Sequence, residues 1–318
     1  MVKSLRRSER GIALLTVLLG VALMTLIIVD FAMSAGLGFV SAANQANELR
    51  AYYLARSGLN VGLALLAEDA RADAQSQNPV DTLDDVWALP YPMMTLQGGT
   101  VSLSIVDEAR KLSINSMVDL NTGAPNQPAI QRMERLFTIL DLSTDLIPGI
   151  VEWISPSTNG SLGSSGADYY MGLRPPYQPR SGPMPTIGDL ELVKGVNEAI
   201  FLRLRPFVTV MPETQVNANT ASPQVLASLE PELMADQKIV EDILAARAIR
   251  PFSKITDLVN EIPGVGPFSS RLTQVLTTRS DFFTIDGMGT YAGARKTVTA
   301  TFHRETSGIG TLATWHED

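Results

Sequence analysis

The chain has 318 residues, a formal net charge of −8 and 45% hydrophobic residues. It contains no cysteine, which excludes disulfides and thiolate chemistry, and its two histidines argue against a histidine-rich metal site or a histidine-dependent catalytic triad. The acidic charge balance argues against nucleic acid as a main partner.

A basic segment at the N-terminus precedes a long apolar run. Residues 1–10 include Lys3, Arg6, Arg7 and Arg10, whereas residues 12–29 carry no charge. Eighteen helical residues span about 27 Å, close to the hydrocarbon thickness of a bilayer. Basic residues ahead of such a run predict a cytoplasmic N-terminus and a chain that crosses the membrane once.

Three interpretations of this N-terminus are open at this point. A secretory signal has a shorter apolar run and a small-residue cleavage site, for which Ala32-Met33-Ser34 is only passable. A permanent signal anchor needs no cleavage. The third interpretation is a leader peptide cut at Gly11, before the apolar run, and it requires a helix that continues beyond the membrane.

That continuation is present in the sequence. Residues 44–74 contain no proline, and their apolar side chains recur at helical spacing among charged ones. We therefore predict one helix from about Ile12 to the low seventies. Its first half is apolar all round and its second half is amphipathic, so the second half needs a surface to pack on.

The residues Gly11-Ile12-Ala13-Leu14-Leu15-Thr16-Val17-Leu18 resemble the processing site of type IV pilins and type II secretion pseudopilins. More narrowly, the chain resembles the minor pseudopilin K family, as does the run Tyr53–Leu59. The resemblance implies that a prepilin peptidase cleaves between Gly11 and Ile12 and methylates the new amine of Ile12. Most pilin-like proteins have glutamate at the fifth mature position, which here is Thr16, and its absence is a mark of the K-type subunit.

Beyond the long helix, strand patterns flank a helical region. Residues 79–92 are turn-rich and are predicted to form a connector. Alternating apolar residues predict a strand over 100–106, with 111–115 returning as its hairpin partner. Strand patterns resume at 282–285 and 297–302.

The middle of the chain has a helical period. Helices are predicted at 128–140, 147–154, 189–207, 223–229 and 238–248, and a long surface loop is predicted from Ser155 to Pro185. The order of strands, helices and strands predicts an α+β fold. In this fold a pilin-like N-terminal helix packs on a small antiparallel sheet, and a large all-α domain is inserted into the sheet.

We predict five segments along the chain. They are a prepilin leader (1–11), a transmembrane half of the long helix (12–43), a pilin-like helix with the first strands (44–115), an inserted helical domain (116–280), and C-terminal strands with a tail (281–318).

The inserted region contains an apparent internal repeat. Residues 187–196 resemble residues 255–266, and each copy follows an asparagine-containing start, at Asn115 and at 216–221. The pattern predicts a duplicated unit of the helix-hairpin-helix or SAM-like kind.

The segment Ile262-Pro263-Gly264-Val265-Gly266 fits a helix-hairpin-helix loop, which binds phosphates in some proteins. Residues 216–280 contain six cations and seven acids, so a structural hairpin is favoured and no nucleic-acid partner is expected. A membrane-anchored periplasmic protein that binds nucleic acid through this hairpin stays the alternative function.

A metal site is suggested by the resemblance alone. In relatives, a loop after a Trp-Ile pair carries several aspartates, followed by Gly-Ala-Glu-Asp and a tyrosine. Here serines follow Trp153-Ile154, and Glu152 and Asp168 are the acids left as candidate calcium ligands. The alternative is a solvated loop without metal.

No catalytic constellation is found, so an enzyme is not expected. The resemblance implies a single-pass inner-membrane protein with a periplasmic C-terminal domain. Such a minor pseudopilin joins other minor pseudopilins, caps the tip of a pseudopilus built from the major pseudopilin, and helps initiate its assembly for export of folded exoproteins. Its further partners would be the inner-membrane secretion platform, the exoproteins and the secretin. A buried α-amine is costly unless it is paired, and a topmost subunit has no amine above it, so the uncharged Thr16 suits a tip position.

Overall fold

The computed structural model describes residues 5–119, 121–156, 164–212, 214–304 and 310–317. Residues 1–4 of the predicted leader and 157–163 of the predicted loop lie outside this range.

The described elements begin with a single long helix, α1 (Leu5–Asp73). They continue in chain order with β1 (Met94–Leu96), β2 (Gly99–Asp107), β3 (Leu112–Ser113), α2 (Gln127–Ile139), α3 (Ile147–Ile154), α4 (Ser164–Met171), α5 (Glu198–Leu204), β4 (Val208–Thr209), β5 (Val216–Asn217), α6 (Pro223–Leu229), α7 (Pro231–Ala235), α8 (Gln237–Ile249), α9 (Ile255–Glu261), α10 (Ser269–Val275), β6 (Leu276–Thr277), β7 (Phe282–Tyr291), β8 (Ala294–His303) and β9 (Leu312–Glu317).

The long helix has the two halves that the sequence predicts. It extends over 69 residues and already includes residues 5–10 of the predicted leader. Its first half is exposed. Its second half buries one face, with apolar residues at helical spacing, among them Ala51, Leu54, Ala55, Leu59 and Leu66.

The buried face of α1 packs on an antiparallel sheet. The strand order is β1-β2-β7-β8-β9, so strands from both sides of the helical region lie next to each other. The predicted strands at 100–106, 282–285 and 297–302 are confirmed as β2, β7 and β8. Edge strand β9 lies in the segment predicted as C-terminal strands with a tail, whereas edge strand β1 lies just after the predicted connector, in residues for which no element was predicted.

Glycines bring the α1 backbone unusually close to this sheet. A Cβ atom on Gly287 would lie 2.2 Å from the carbonyl oxygen of Ala55, and one on Gly289 would lie 2.1 Å from that of Ala51. On the helix side, a Cβ on Gly62 would lie 2.6 Å from the side chain of Ile285. Glycine lowers the intrinsic stability of a helix, but at Gly62 the contact with the sheet leaves no room for a larger side chain.

The predicted hairpin between residues 100–106 and 111–115 is wrong. Strand β3 pairs in parallel with β4, with Leu112 opposite Val208, whereas β2 pairs with β1 and β7. A single 3₁₀ turn, Glu108–Arg110, leads the chain out of the sheet. Asp107 caps this turn by accepting a hydrogen bond from the Ala109 amide at 2.7 Å.

Most helices of the middle region lie where the periodicity places them. Helices α3 and α6 match their predicted bounds, and α2 and α8 differ from theirs by one residue at the ends. The predicted loop contains one further helix, α4. The predicted helix over 189–207 is interrupted, because Gly195 has a φ of +86° and Asn197 caps a new helix, α5, by accepting from the Ile200 amide.

The helical region consists of two matching units, as the repeat predicts. The parallel pair β3–β4 closes the first unit, and the parallel pair β5–β6 closes the second, with Val216 opposite Leu276. Gly264, in the predicted hairpin between α9 and α10, has the same φ of +86° as Gly195 in the first unit.

Equivalent asparagines fasten each unit. The Asn115 side chain donates to the Met184 carbonyl at 2.9 Å and accepts from the Met184 amide at 2.8 Å. The Asn219 side chain makes the same two bonds to Phe252, at 3.1 and 2.9 Å. Both asparagines are buried. Each binds the residue that lies three positions before its copy of the repeat, which begins at residue 187 in the first unit and at residue 255 in the second.

Candidate functional site: the exposed half of the long helix and its anchorage

The first half of α1 exposes a continuous apolar surface. Ile12 is 61% exposed and Phe39 is 78% exposed, and the apolar side chains between them are similarly open. Within the described residues, α1 is the one helix that is long and apolar enough to cross a membrane, and the apolar window in it has no buried residue. Soluble monomers rarely expose so large an apolar patch, so lipid or other helices are needed to cover it.

The predicted processing site lies at the start of this surface. Gly11 and Ile12 are both exposed, and a Cβ atom on Gly11 would meet nothing within 4 Å. The same is true of Gly20, Gly36 and Gly38 farther along the helix. Contacts within the described chain therefore give no reason for glycine at position 11, where the basic segment meets the apolar run.

Thr16 is satisfied within its own helix. Its Oγ1 donates to the carbonyl oxygen of Ala13 at 2.9 Å, one turn earlier. The side chain thus brings neither a charge nor a free donor to the exposed apolar surface. This is compatible with burial among neighbouring apolar helices.

A buried arginine anchors the C-terminal end of α1. Arg304, directly after β8, donates from Nη2 to Asp81 Oδ2 at 2.5 Å and to the Ser280 carbonyl at 2.9 Å. Its Nη1 donates to Asp69 Oδ2 on α1 at 2.8 Å. One guanidinium group therefore joins the long helix, the connector before β1, the sheet and the exit from the helical region.

A buried asparagine extends this junction into the second helical unit. Asn217 Nδ2 donates to the Asp81 carbonyl at 3.0 Å and to Ser280 Oγ at 2.9 Å. It also lies 3.3 Å from Asp107 Oδ2, which accepts a 2.5 Å hydrogen bond from Thr220 Oγ1. The second helical unit is consequently held to the sheet by a connected polar network.

The pKa values of three carboxyl groups at this junction are raised. Burial, together with the charges of Asp81 and Asp85, raises the pKa of Asp69 to about 7. Burial raises the pKa of Asp81 to about 6 even though Arg304 opposes the shift. Burial also raises the pKa of Asp107, against the hydrogen bond from Thr220.

One group of carboxylates in the described part of the chain has the spacing of metal ligands. Asp69, Asp81 and Asp85 each place an oxygen within 4.8 Å of the others. Sequence reasoning missed this group because its members come from α1 and from the connector. The available signal was Asp81, Asp84 and Asp85 in a short turn-rich segment.

The metal ligands that the sequence suggested lie elsewhere. Glu152 is half-buried on α3 and Asp168 is exposed on α4. The segment between them that would complete the site, 157–163, lies outside the described residues, so the calcium site at Glu152 and Asp168 stays a prediction.

These features define a class of protein. A helix of membrane-spanning length continues into a half that packs on an antiparallel sheet, and a helical domain is inserted between the strands. This is a pilin-like subunit with a large α-domain.

Comparisons with known proteins identify the family. Two sequence profiles, each described as "Type II secretion system (T2SS), protein K", match residues 110–213 and 216–279. Together the two matches span more than half of the chain, and each match covers one of the two helical units. The chain belongs to the type II secretion system protein K family.

Relatives and a solved structure agree with this assignment. The chain is 28% identical to the type II secretion system protein K of Pseudomonas aeruginosa over 313 residues, covering 96% of this chain and 91% of that protein. It is 26% identical to the Klebsiella pneumoniae protein of the same name, covering 80% and 79% of the two chains. In fold it resembles a chain of the GspK-GspI-GspJ complex from enterotoxigenic Escherichia coli, with a TM-score of 0.71, 16% identity, and coverage of 87% of this chain and 99% of that one.

Proposed function

We propose that this chain is the minor pseudopilin that caps the tip of a type II secretion pseudopilus and helps initiate its assembly for export of folded exoproteins. The observation that carries the proposal is the exposed apolar half of α1, which begins at Gly11-Ile12 and has the uncharged Thr16 where most pilin-like subunits have glutamate. An exposed apolar helix needs sister helices or lipid around it, which a filament subunit obtains in both its assembled and its membrane-stored states.

The proposed maturation begins at the boundary of the leader. A prepilin peptidase cleaves between Gly11 and Ile12 and methylates the new α-amine. No contact in the described chain requires glycine at position 11, which supports recognition by another protein as the reason for it. In the precursor, residues 12–43 span the inner membrane, with the N-terminus in the cytoplasm and the remainder in the periplasm.

The tip position follows from electrostatics and bulk. In an ordinary subunit, a glutamate at the fifth mature position can neutralise the α-amine of the subunit above it, but the topmost subunit has no such amine to pair with. The Thr16 hydroxyl already donates a hydrogen bond to the Ala13 carbonyl, and the side chain introduces no charge. The inserted helical units, the second of which is fixed to the sheet through Asn217 and Arg304, add bulk that would block addition of another subunit.

The proposed partners are the other minor pseudopilins, the major pseudopilin, prepilin peptidase and the inner-membrane secretion platform, with exoproteins or the secretin contacted at the tip. The complex in which the structural relative was solved supports the minor pseudopilins as partners. The role is one of assembly rather than catalysis.

The hairpin does not favour the nucleic-acid alternative. Two of its flanking cations are engaged, because Arg271 pairs with Glu230 and Glu232, and Arg250 pairs with Glu261. Phe268, which follows the hairpin, is buried. Such a surface offers little free positive charge for phosphates.

The proposal is tested by Gly11→Ala against Gly20→Ala in cells that carry the whole secretion apparatus. Neither added methyl group meets an atom within 4 Å, so both variants should fold alike. Gly11→Ala should accumulate as an unprocessed membrane precursor and lose secretion, whereas Gly20→Ala should be processed. Equal processing of the two variants would contradict the proposal.

A further inference from the structure

Three aspartates converge where α1 meets the connector, and we call Asp69, Asp81 and Asp85 the acidic joint. One carboxylate oxygen from each lies within 4.8 Å of the other two. Oxygens bound to one Ca²⁺ at 2.3–2.6 Å are at most about 5 Å apart, so the three oxygens are close enough to share a single ion.

An unpartnered buried oxygen points to a ligand at this place. Asp81 is completely buried, and its Oδ2 accepts from Arg304 and from the Ser280 amide. Its Oδ1 is also buried but has no hydrogen-bond partner. A buried carboxylate oxygen without a donor is costly, and because Oδ2 is engaged, Oδ1 is the atom left to bind a cation.

The charge of the surroundings is unbalanced. The joint and its ion-paired neighbours carry four carboxylates and two guanidinium groups, so full ionisation leaves two negative charges without a counterion. The groups are Asp69, Asp73, Asp81 and Asp85 on one side and Arg279 and Arg304 on the other. One divalent cation would neutralise the site.

The geometry points to a binding site for one hard divalent cation, Ca²⁺ by preference, at the acidic joint. The site is separate from the predicted loop site at Glu152 and Asp168. Its consequence is mechanical, because the ion would tie α1 to the connector. The connector in turn donates from the Asp81 amide to the Thr278 carbonyl at the end of the helical region. Bound cation would therefore stiffen the junction between the long helix and the helical units.

The test uses the full-length chain in detergent and calcium titration calorimetry. A Glu152→Gln/Asp168→Asn background removes the two acids of the predicted loop site. We expect this background to bind one Ca²⁺ per chain and to gain thermal stability from it. Adding Asp85→Asn should weaken binding at least tenfold and remove the thermal shift, while the one amide oxygen can still accept from the Thr82 amide, the first of the two hydrogen bonds that Asp85 accepts from Thr82.

The matched control is Asp84→Asn, an exposed aspartate one residue away. It should leave the affinity of the background unchanged. Asp69→Asn provides a second ligand variant, and circular dichroism establishes that each variant is folded. Absence of Ca²⁺ binding by the background at millimolar concentration would overturn the inference, as would equal affinities of the Asp85→Asn and Asp84→Asn variants.

Discussion

Arg304 donates to Asp81 across 2.5 Å while both side chains are buried, and the two residues are 223 positions apart in the sequence. The pair fastens the sheet to the connector, and Asp69 extends it to α1. Removing one partner of a buried ion pair leaves the other charge without compensation.

We therefore expect Arg304→Ala to reduce the free energy of unfolding by about 3–5 kcal/mol. Arg295→Ala is the matched control, because Arg295 lies on β8, the strand that Arg304 follows, but is exposed. Denaturant unfolding of the two variants measures the difference. Similar stability of both would show that the buried pair does not hold the junction.

The close approach of α1 to β7 makes a second prediction. A methyl group on Gly289 would lie 2.1 Å from the Ala51 carbonyl and 2.5 Å from the Ala55 amide, both backbone atoms that cannot rotate away. Gly289→Ala should therefore destabilise the protein by at least about 1–3 kcal/mol through overpacking. Gly266→Ala, where a methyl group meets nothing within 4 Å, should have a smaller effect on the unfolding midpoint.

Asp107 makes stability depend on pH. Burial raises its folded-state pKa above the ordinary value of 3.8, so the folded protein keeps this proton over a range in which the unfolded chain has released it. The resulting stabilisation is complete below the unfolded pKa and is lost as the pH rises through the folded pKa.

Asp107→Asn removes this titration. The free energy of unfolding of the wild type minus that of the variant should therefore fall as the pH is raised from about 4 through the raised pKa of Asp107. Urea unfolding at several pH values with a chelator present measures the difference. A difference that is constant or that rises with pH would refute the account of Asp107.

Thr16 tests the electrostatic argument for the tip position. Thr16→Glu introduces a carboxylate that has no α-amine above it in a topmost subunit, so we expect it to impair capping and secretion. Thr16→Gln has a similar size and no charge, and it should retain both. Secretion assays in cells without the wild-type copy compare the two. If Thr16→Glu caps normally, avoidance of a charge is not the reason for threonine at position 16.

The sequence predicts the features that depend on local periodicity. The unbroken α1 follows from the absence of proline in residues 44–74, and α6 is located by a capping serine, Ser222, followed by Pro223 at the first turn. The duplication is visible because Asn115 and Asn219 precede similar motifs. These signals are carried by neighbouring residues.

The features that the sequence did not predict depend on residues that are distant in the chain. Strands β3 and β4 have two residues each, too few for a period, so their parallel pairing was mistaken for a hairpin return. Edge strand β9 has exposed residues at nearly every position and shows no burial pattern. Asp69 and Arg304 are 235 residues apart, and no local pattern identifies them as partners.

We propose that the apolar helix beginning at Ile12 is the start of the mature subunit. The most direct measurement is the intact mass and N-terminal sequence of the protein, isolated from cells with a complete type II secretion system. We predict an N-methylated chain that begins at Ile12. A protein that still begins at Met1, or that begins beyond the apolar run, would contradict the account.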